Sequence, residues 1–319
     1  MGIIFNFIVL FAAGFLILKS ADLFIKGAVE ISLSLRLSKV FIGATIVSIV
    51  TTTPELIVSS MSSAIGETGL AAGNAIGSCI CNIGLVFAIG AIMKDVPITK
   101  EDLKYKVAFL LISLIVVYLL IMDGLLSKVE AVGLLLLFVI FIFINYRLAL
   151  KGRIPPDNAI NVPRSNHLLR KGIISFFLGG IFTVIIARYG LVYPGLAIAE
   201  FFKVPPAVIG LSMIALGTSL PELCTTVISS RKLHSEIALG NVVGASILDL
   251  LLVLGVSALI NPLTIDRQTI LFNMPVAVLF SVMMLILGFR NLRFSRLKGI
   301  IMLTIYVLYI AALFSIIYR

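Results

Sequence analysis

Charged residues are scarce in this chain. Only 13% of its 319 residues are Asp, Glu, Lys or Arg, whereas 60% are hydrophobic and the mean hydropathy is +1.18. This composition excludes a water-soluble globule, because a fold of this length could not bury so large an apolar fraction. The sequence therefore predicts an all-α membrane protein that crosses the bilayer several times.

Histidine and cysteine are rarer still. His167 and His234 both fall in predicted loops, so no predicted span offers a histidine base, and we do not expect an enzyme. Acidic residues alone leave an aspartyl hydrolase within the membrane as a weaker alternative. Cys79, Cys81 and Cys224 lie in apolar spans, where a free thiol behaves as a small hydrophobe and builds no disulfide framework. No cofactor is expected.

Long apolar runs fill most of the remaining sequence. A hydrocarbon core of about 30 Å takes roughly 20 helical residues to cross. Ten segments reach that length, at about 3–29, 40–64, 70–93, 106–122, 128–148, 171–198, 206–230, 236–260, 268–289 and 297–317. The sequence thus predicts ten transmembrane helices.

Basic residues lie mostly on one side of these ten helices. Of the 25 Lys and Arg, 18 fall in the loops 1–2, 3–4, 5–6, 7–8 and 9–10, and four fall on the opposite side. Short loops that stay in the cytoplasm carry the excess of positive charge, so both termini are predicted outside the cell membrane. The same asymmetry accounts for the net charge of +10 without a nucleic-acid partner.

The two halves of the sequence resemble each other. The segment "FIGATIVSIVTTTPELIVSS" from Phe41 aligns without a gap with "VIGLSMIALGTSLPELCTTV" from Val208, an offset of 167. At the same offset "GNAIGSCICNIGLV" from Gly73 matches "GNVVGASILDLLLV" from Gly240. Five helices per half is an odd number, so the halves 1–148 and 171–319 must enter the membrane with opposite orientation, joined by a cytoplasmic linker at 149–170. Transporters with inverted repeats place their binding site near the midplane, between the halves.

An acid beside a helix breaker occurs once in each half. Pro54 precedes Glu55, and Pro221 precedes Glu222. Proline frees a backbone carbonyl one turn earlier, and hydroxyls occupy the same turn at Thr51, Thr52, Thr53, Thr218 and Ser219. Carboxylate, hydroxyl and carbonyl oxygens suit hard cations such as Na⁺ or Ca²⁺. A kink that serves only packing is the alternative, but two buried acids at matched positions favour a cation site, because unpaired charge in mid-bilayer is costly.

A second matched pair joins Asn82 with Asp249, both in the middle of predicted spans. If Asp249 lies near the two glutamates, mutual repulsion favours a proton on one acid, which leaves a site charge of about −2. That charge matches one Ca²⁺ or two monovalent ions.

Helices 1 and 6 carry unusual charges. Lys19, Asp22, Lys26 and Glu30 share one face of helix 1, and Arg188 lies in the matching part of helix 6. Side chains that snorkel towards the interface explain these residues best. The alternative is a polar helix face that slides during gating.

These residues resemble the α-repeats of the sodium/calcium exchanger family, within the cation/Ca²⁺ antiporter superfamily. The most specific matches are "GTSLPE" at Gly217 to Glu222 and the "GNxxG" elements at Gly73 and Gly240. The resemblance implies a ten-helix antiporter of the cell membrane that exchanges Ca²⁺ for Na⁺ at four central positions. It implies that helices 1 and 6 slide across a fixed core to alternate access.

The resemblance also implies roles for individual residues. Glu55 and Glu222 would bridge the ions, Thr51 and Thr218 would supply hydroxyl or carbonyl oxygens, and Asn82 and Asp249 would line the middle position. Backbone carbonyls would come from Ser48 and Ala215, and a hydroxyl would come from Ser78.

Some residues depart from the family pattern. Val50 replaces a Gly, Ala245 stands where the second repeat usually offers a Ser hydroxyl, and Ser246 replaces an Asn. These changes bear on Na⁺ coupling more than on Ca²⁺ binding, so Ca²⁺/H⁺ antiport on the same fold remains an alternative. A cation channel is less favoured, because a pore needs a continuous polar path and the polar residues cluster at mid-depth.

Overall fold

The protein is an assembly of helices in this computed structural model, which describes residues 2–34, 49, 51–98, 100, 102–151, 166–231 and 235–317. The first half contains α1 (Ile3–Ser34), α2 (Thr53–Ala64), α3 (Thr68–Cys81), α4 (Phe87–Met93), α5 (Ala108–Leu120) and α6 (Lys128–Lys151). The second half contains α7 (Asn166–Ile186), α8 (Tyr193–Phe202), α9 (Pro206–Ile209), α10 (Ala215–Thr218), α11 (Leu220–Arg231), α12 (Ser235–Leu248), α13 (Leu254–Ile260), α14 (Met274–Phe289) and α15 (Arg296–Ile317).

Wider π-helical turns join several of these helices into longer rods. They link α3 to α4 at Asn82–Val86, α7 to α8 at Ala187–Val192, α9 to α10 at Gly210–Ile214, and α12 to α13 at Asp249–Val253. Two more precede α5 and α14, at Asp102–Val107 and Thr269–Asn273. Such turns are rare and often mark functional sites. Two of them begin at the matched residues Asn82 and Asp249.

The described part of the chain contains seven helices long and apolar enough to cross a membrane, which confirms a multi-pass membrane protein. An eighth span results if the bent pair Pro206–Thr218 and Leu220–Val227 is one crossing. These eight coincide with predicted spans. Helix α1 contains a shorter apolar stretch, Ile3–Ile17, and residues 40–48 and 50 of the second predicted span lie outside the described residues. The total of ten therefore stays a prediction.

Elements of the second half follow those of the first at a nearly constant distance in sequence. Helices α2, α3 and α4, and the π turn after α3, begin and end 167 residues before α11, α12, α13 and the π turn after α12. The last helix, α15, begins 168 residues after α6. Equivalent local structure thus arises from the two related sequences.

Four two-residue strands form two pairs, each between one strand of the first half and one strand of the second. Strand β1 (Val96–Pro97) pairs antiparallel with β4 (Arg293–Phe294), and Arg293 also forms an ion pair of 3.4 Å with Asp95. Strand β2 (Leu125–Leu126) pairs antiparallel with β3 (Leu263–Thr264). Each half therefore contributes one strand to each pair.

Close helix contacts set the position of α3. A Cβ added to Gly73 would lie 2.3 Å from the carbonyl oxygen of Ala207, and one added to Gly77 would lie 2.6 Å from Cα of Leu211. Only glycine lets the backbone of α3 approach the rod Pro206–Thr218 this closely, as small residues do between membrane helices. Gly73 and Gly77 therefore permit the close approach of the two backbones. The contact brings the middle of α3 against the helix break at Pro221.

Two apolar clusters surround that centre. The larger one includes the middle of α3 and α12 with parts of α5, α14 and α15. The smaller one joins α1 to the rod Leu169–Phe202, including Leu10, Ala13, Ile17 and Leu191. Helix α1 and this rod also meet through an ion pair of 3.3 Å between Glu30 and Lys171. The smaller cluster also contains Val58 of α2, Leu70 of α3, and Ile209 and Ile214 of the rod Pro206–Thr218, so it packs α1 and its partner rod against the centre.

Candidate ion-binding site

The helix break predicted at Pro221 is present. Helix α10 ends at Thr218, α11 begins at Leu220, and the two rods are bent by 41°. In the first half α2 begins at Thr53, with Pro54 in its first turn and Thr52 as its N-terminal cap. Ser48 and Val50 lie outside the described residues, so the preceding rod and the carbonyl of Ser48 are not placed.

Three acidic side chains are buried at this break. Glu55 is 1% exposed, and Glu222 and Asp249 are 0% exposed. Their carboxyl groups interact electrostatically with one another. Within the described part of the chain no Lys, Arg or His forms an ion pair with any of them. Buried charges without a counterion are strongly destabilising, so this cluster requires protons or a bound cation.

The hydroxyls of each half approach the acid of the other half. Ser219 donates a hydrogen bond of 3.2 Å from Oγ to Oε1 of Glu55, and the Thr218 hydroxyl also lies beside this carboxyl group. The Thr51 hydroxyl lies beside the carboxyl group of Glu222. No described residue is within hydrogen-bonding geometry of Glu55 Oε2 or of either carboxyl oxygen of Glu222. Acceptor oxygens therefore remain at the centre.

Two asparagines each accept a hydrogen bond from a threonine of the opposite half. Thr218 donates from Oγ1 to Oδ1 of Asn74 at 3.3 Å, and Thr51 donates from Oγ1 to Oδ1 of Asn241 at 3.4 Å. Both threonines and both asparagines are 167 apart in sequence. We did not predict ligand roles for these asparagines, although the "GNxxG" elements contain them and are their visible signal.

The two asparagines are not equally bonded. Asn74 also donates from Nδ2 to the Ser59 hydroxyl at 2.9 Å and to the Glu55 carbonyl at 3.3 Å, which ties α3 to α2. In the second half Nδ2 of Asn241 and the hydroxyl of Thr226, which matches Ser59, have no hydrogen-bond partner among the described residues. The first half of the centre is thus more firmly fixed than the second.

The other predicted residues line the same region. Asn82 donates from Nδ2 to Oδ2 of Asp249 at 3.1 Å, and no residue in the described ranges donates a hydrogen bond to Asp249 Oδ1 or Asn82 Oδ1. Ser78 is buried, and its hydroxyl lies 3.4 Å from that of Thr218. Ala245, the match of Ser78, is buried and offers no side-chain oxygen.

Two residues predicted as ligands, Ala215 and Thr52, have carbonyl oxygens that already accept hydrogen bonds. The carbonyl of Ala215 accepts hydrogen bonds from the Ser219 amide at 3.0 Å and from the Thr218 hydroxyl at 3.3 Å. Thr52 is buried, and its carbonyl accepts a hydrogen bond from the Leu56 amide. Both carbonyls therefore take part in the helical bonding around the break.

The atoms of this centre that could coordinate a cation are all oxygen atoms. Within the described residues, no group of three or more His, Cys, Asp or Glu side chains is placed to hold a metal ion. A ligand set around Glu55, Glu222 and Asp249 thus needs hydroxyl and amide oxygens as well. Hard cations accept such mixed oxygen sets, whereas zinc and copper prefer nitrogen and sulfur.

The sequence as a whole matches a known family model. The model described as "Sodium/calcium exchanger protein" covers residues 5–147 and 172–315. The putative antiporter CaxA of Alkalimonas amylolytica is 31% identical over 309 residues, which cover 94% of this chain and 96% of that protein. The sodium/calcium exchanger MaX1 of Methanosarcina acetivorans is 29% identical over 347 residues, with 98% and 99% covered.

The fold also matches a solved structure. The sodium-calcium exchanger NCX_Mj soaked with 10 mM Na⁺ and zero Ca²⁺ superposes with a TM-score of 0.67 and is 30% identical. The match covers 97% of this chain and 99% of that one. The described fold is therefore similar to that of a known exchanger along nearly its full length.

Proposed function

The chain belongs to the sodium/calcium exchanger protein family, and from this premise we propose that it is a secondary active antiporter that exchanges Ca²⁺ for Na⁺ across the cell membrane. The observation that carries the proposal is the centre itself. Three buried carboxyl groups lie without a basic partner among the described residues, beside hydroxyl and amide oxygens of both halves. Cations supply the missing positive charge and are the transported substrates.

The proposed architecture has ten transmembrane helices in two inverted repeats, residues 1–148 and 171–319, joined by a cytoplasmic linker at 149–170, with both termini outside. Three observations support it. Elements recur at an offset of 167, the strand pairs exchange partners between the halves, and the contacts Thr51–Asn241 and Thr218–Asn74 are equivalent under the same offset. A two-fold relation in the membrane plane accounts for all three.

The proposed ligands surround one central space. Glu55 and Glu222 bridge neighbouring ions, while Asp249 and Asn82 line the middle. The remaining oxygens come from the side chains or backbone of Thr51, Thr52, Thr218, Ser219, Ser78, Ser48 and Ala215. The carbonyl of Ala215 is already shared by two donors, so its use by an ion requires the helix break to open slightly.

Helix α1 and the rod Leu169–Phe202 are the proposed moving pair. A Cβ on Gly27 would lie 2.3 Å from the amide nitrogen of Phe176, and one on Gly190 would lie 2.4 Å from Cβ of Ala13. Contacts this close support movement of the two elements as one body. A slide of that body past α2 and α11 exposes the centre to alternate sides.

Exchange of Ca²⁺ for H⁺ is the second candidate. Ala245 removes a hydroxyl opposite Ser78, and Asp249 is fully buried with one carboxyl oxygen that accepts no hydrogen bond from the part of the chain that the structure describes. A buried acid of this kind can carry a proton in place of a second cation.

Flux of ⁴⁵Ca²⁺ in reconstituted vesicles distinguishes the two candidates. Separate Na⁺, K⁺ and H⁺ gradients are imposed, and we expect uptake only with the Na⁺ gradient. Equal uptake with and without that gradient overturns Na⁺ coupling, and uptake that a protonophore abolishes assigns H⁺ as the coupled ion. Glu55→Gln and Glu222→Gln serve as inactive controls, because each removes one charge from the proposed ligand set.

A further inference from the structure

Arg188 projects from the membrane-spanning rod Leu169–Phe202 and is held by two tyrosines. Its Nε and Nη2 donate hydrogen bonds of 3.2 and 3.0 Å to the Tyr193 hydroxyl. Its Cζ lies 5.6 Å from the ring centres of both Tyr189 and Tyr193, within the range of cation–π attraction. The guanidinium therefore has a fixed position on the outer surface of the rod.

The hydrogen-bonding capacity of this cluster is only partly used. In the described part of the chain no carboxylate forms an ion pair with Arg188, and both of its bonds leave from Nε and Nη2. The Tyr193 oxygen accepts both bonds, so its own hydrogen is available to donate. The Nη1–Nη2 edge of Arg188 therefore remains open and can donate two parallel hydrogen bonds to the oxygens of a phosphate, while the Tyr193 hydroxyl can donate to a further oxygen.

An apolar groove begins one turn before Arg188. It has a volume of about 340 Å³ and is lined by Phe176, Phe177, Gly180, Ile181, Val184 and Ile185. Phe177 and Ile181 are more than half exposed. The lining offers almost no polar surface, so a peptide backbone would lose its hydrogen bonds there, whereas a hydrocarbon chain loses none.

The dimensions fit one lipid tail. Arg188 lies 11 residues after Phe177, which is about 17 Å along a helix. One leaflet contributes about 15 Å to a hydrocarbon core of about 30 Å. A headgroup at Arg188 therefore leaves its acyl chain alongside the groove.

The depth also fits an interface. The rod leaves the basic cytoplasmic side near Lys171, and Arg188 lies 17 residues further on, about 26 Å along the helix axis. That distance nearly crosses the hydrocarbon core, and tyrosines such as Tyr189 and Tyr193 are enriched at the membrane–water boundary. With the proposed orientation, the cluster faces the outer leaflet.

We propose that Arg188, Tyr193 and the groove form a binding site for one anionic phospholipid, with its phosphate at Arg188 and one acyl chain against Phe177 and Ile181. The site lies on the proposed moving pair. Its occupation therefore ties an annular lipid to the element that slides.

The absence of tryptophan from the chain allows a direct test. Phe177→Trp places a single tryptophan in the groove, and its fluorescence is measured in vesicles that contain brominated phosphatidylglycerol or brominated phosphatidylcholine. One interfacial arginine contributes about 1 kcal/mol to anionic lipid binding, so we expect half-quenching at an about fivefold lower fraction of the anionic lipid. Equal quenching by the two lipids overturns the proposal.

Matched variants assign the preference to Arg188. Arg188→Gln in the Phe177→Trp background is expected to abolish the preference for the anionic lipid. Arg188→Lys keeps the positive charge but not the planar guanidinium, so it is expected to retain part of that preference. A preference that survives Arg188→Gln contradicts the proposal. Leu308→Trp on α15, 62% exposed, reports general enrichment of anionic lipid and should show no preference. Because the readout is fluorescence, its result is independent of whether the chain exchanges Ca²⁺.

Discussion

Asn82 donates a hydrogen bond of 3.1 Å to Asp249, and these two residues occupy the same position of the two sequence repeats. Each of them begins a π-helical turn. A contact between equivalent positions must lie close to the axis that relates the halves. The pair thus marks the centre of the proposed two-fold arrangement.

This position predicts that the two side chains can be exchanged. Asp249→Asn removes a carboxyl group and Asn82→Asp places two carboxyl groups in contact, so each alone is expected to lower Ca²⁺ uptake about tenfold or more. The double variant Asn82→Asp/Asp249→Asn keeps one acid and one amide and should recover most of the flux. A double variant as impaired as the worse single one argues against the symmetry.

Ser219 is expected to strengthen ion binding through Glu55. The 3.2 Å hydrogen bond from Ser219 to Glu55 Oε1 favours the ionised carboxyl group that a cation needs. Bonds to charged groups contribute about 1.5–3 kcal/mol, so Ser219→Ala should favour a proton on Glu55 and weaken Ca²⁺ binding about tenfold or more. Calorimetry in detergent measures this affinity. Ser219→Thr is the matched control, because Thr52 occupies the equivalent position, and an Ala variant with unchanged affinity would remove Ser219 from the site.

Ala245→Ser should restore a hydroxyl opposite Ser78. If Na⁺ lacks a ligand there, one added oxygen should contribute about 1 kcal/mol to the free energy of Na⁺ binding. The Na⁺ concentration for half-maximal exchange then falls about fivefold. Ala245→Cys adds a similar volume with a poor Na⁺ ligand and controls for packing. Na⁺ dependence that is the same in all three proteins would show that Ala245 leaves no gap in the ligand set.

The unequal bonding of the two asparagines predicts unequal stability. Asn74→Ala loses three hydrogen bonds, whereas Asn241→Ala loses one. At about 1 kcal/mol per bond, the first variant should be destabilised by about 2 kcal/mol more than the second. Thermal unfolding in detergent gives the comparison, and equal losses would contradict the asymmetry.

The close contact at Gly77 predicts a packing penalty. Gly77→Ala would place a Cβ 2.6 Å from Cα and the carbonyl oxygen of Leu211, and such overpacking costs about 1–3 kcal/mol. Gly133 has no atom within 4 Å of its added Cβ, so Gly133→Ala should leave stability unchanged or raise it. A Gly77→Ala protein as stable as Gly133→Ala would show that the helices separate freely.

Much of this arrangement follows from the offset of 167 residues. The offset alone matched Asn82 with Asp249, and Pro221 alone predicted the helix break, because proline acts locally on the backbone. The glycine spacing at 73 and 77 is likewise a local pattern, typical of close contact between membrane helices. These features are encoded within a few residues, which is why the sequence reveals them.

Other features depend on tertiary contacts and escaped prediction. The bonds of Asn74 to Thr218 and of Asn241 to Thr51 form only when the halves meet, and one sequence does not give their rotamers. The π-helical turns after α3 and α12 have no proline or glycine signal common to both. The unequal bonding of the asparagines depends on how the side chains of each half pack, which no residue pattern specifies.

The crossed strands impose an order on biogenesis. β1 is synthesised about 200 residues before its partner β4. At a translation rate of about 5–20 residues per second, β1 therefore stays unpaired for about 10–40 s. β2 waits less, because its partner β3 lies 138 residues later. Neither half can form these strand pairs alone. Most of the chain must therefore be synthesised before both strands of the first half are paired. The contacts that join the two halves through these strands therefore form late, after most of the membrane-spanning segments have been synthesised.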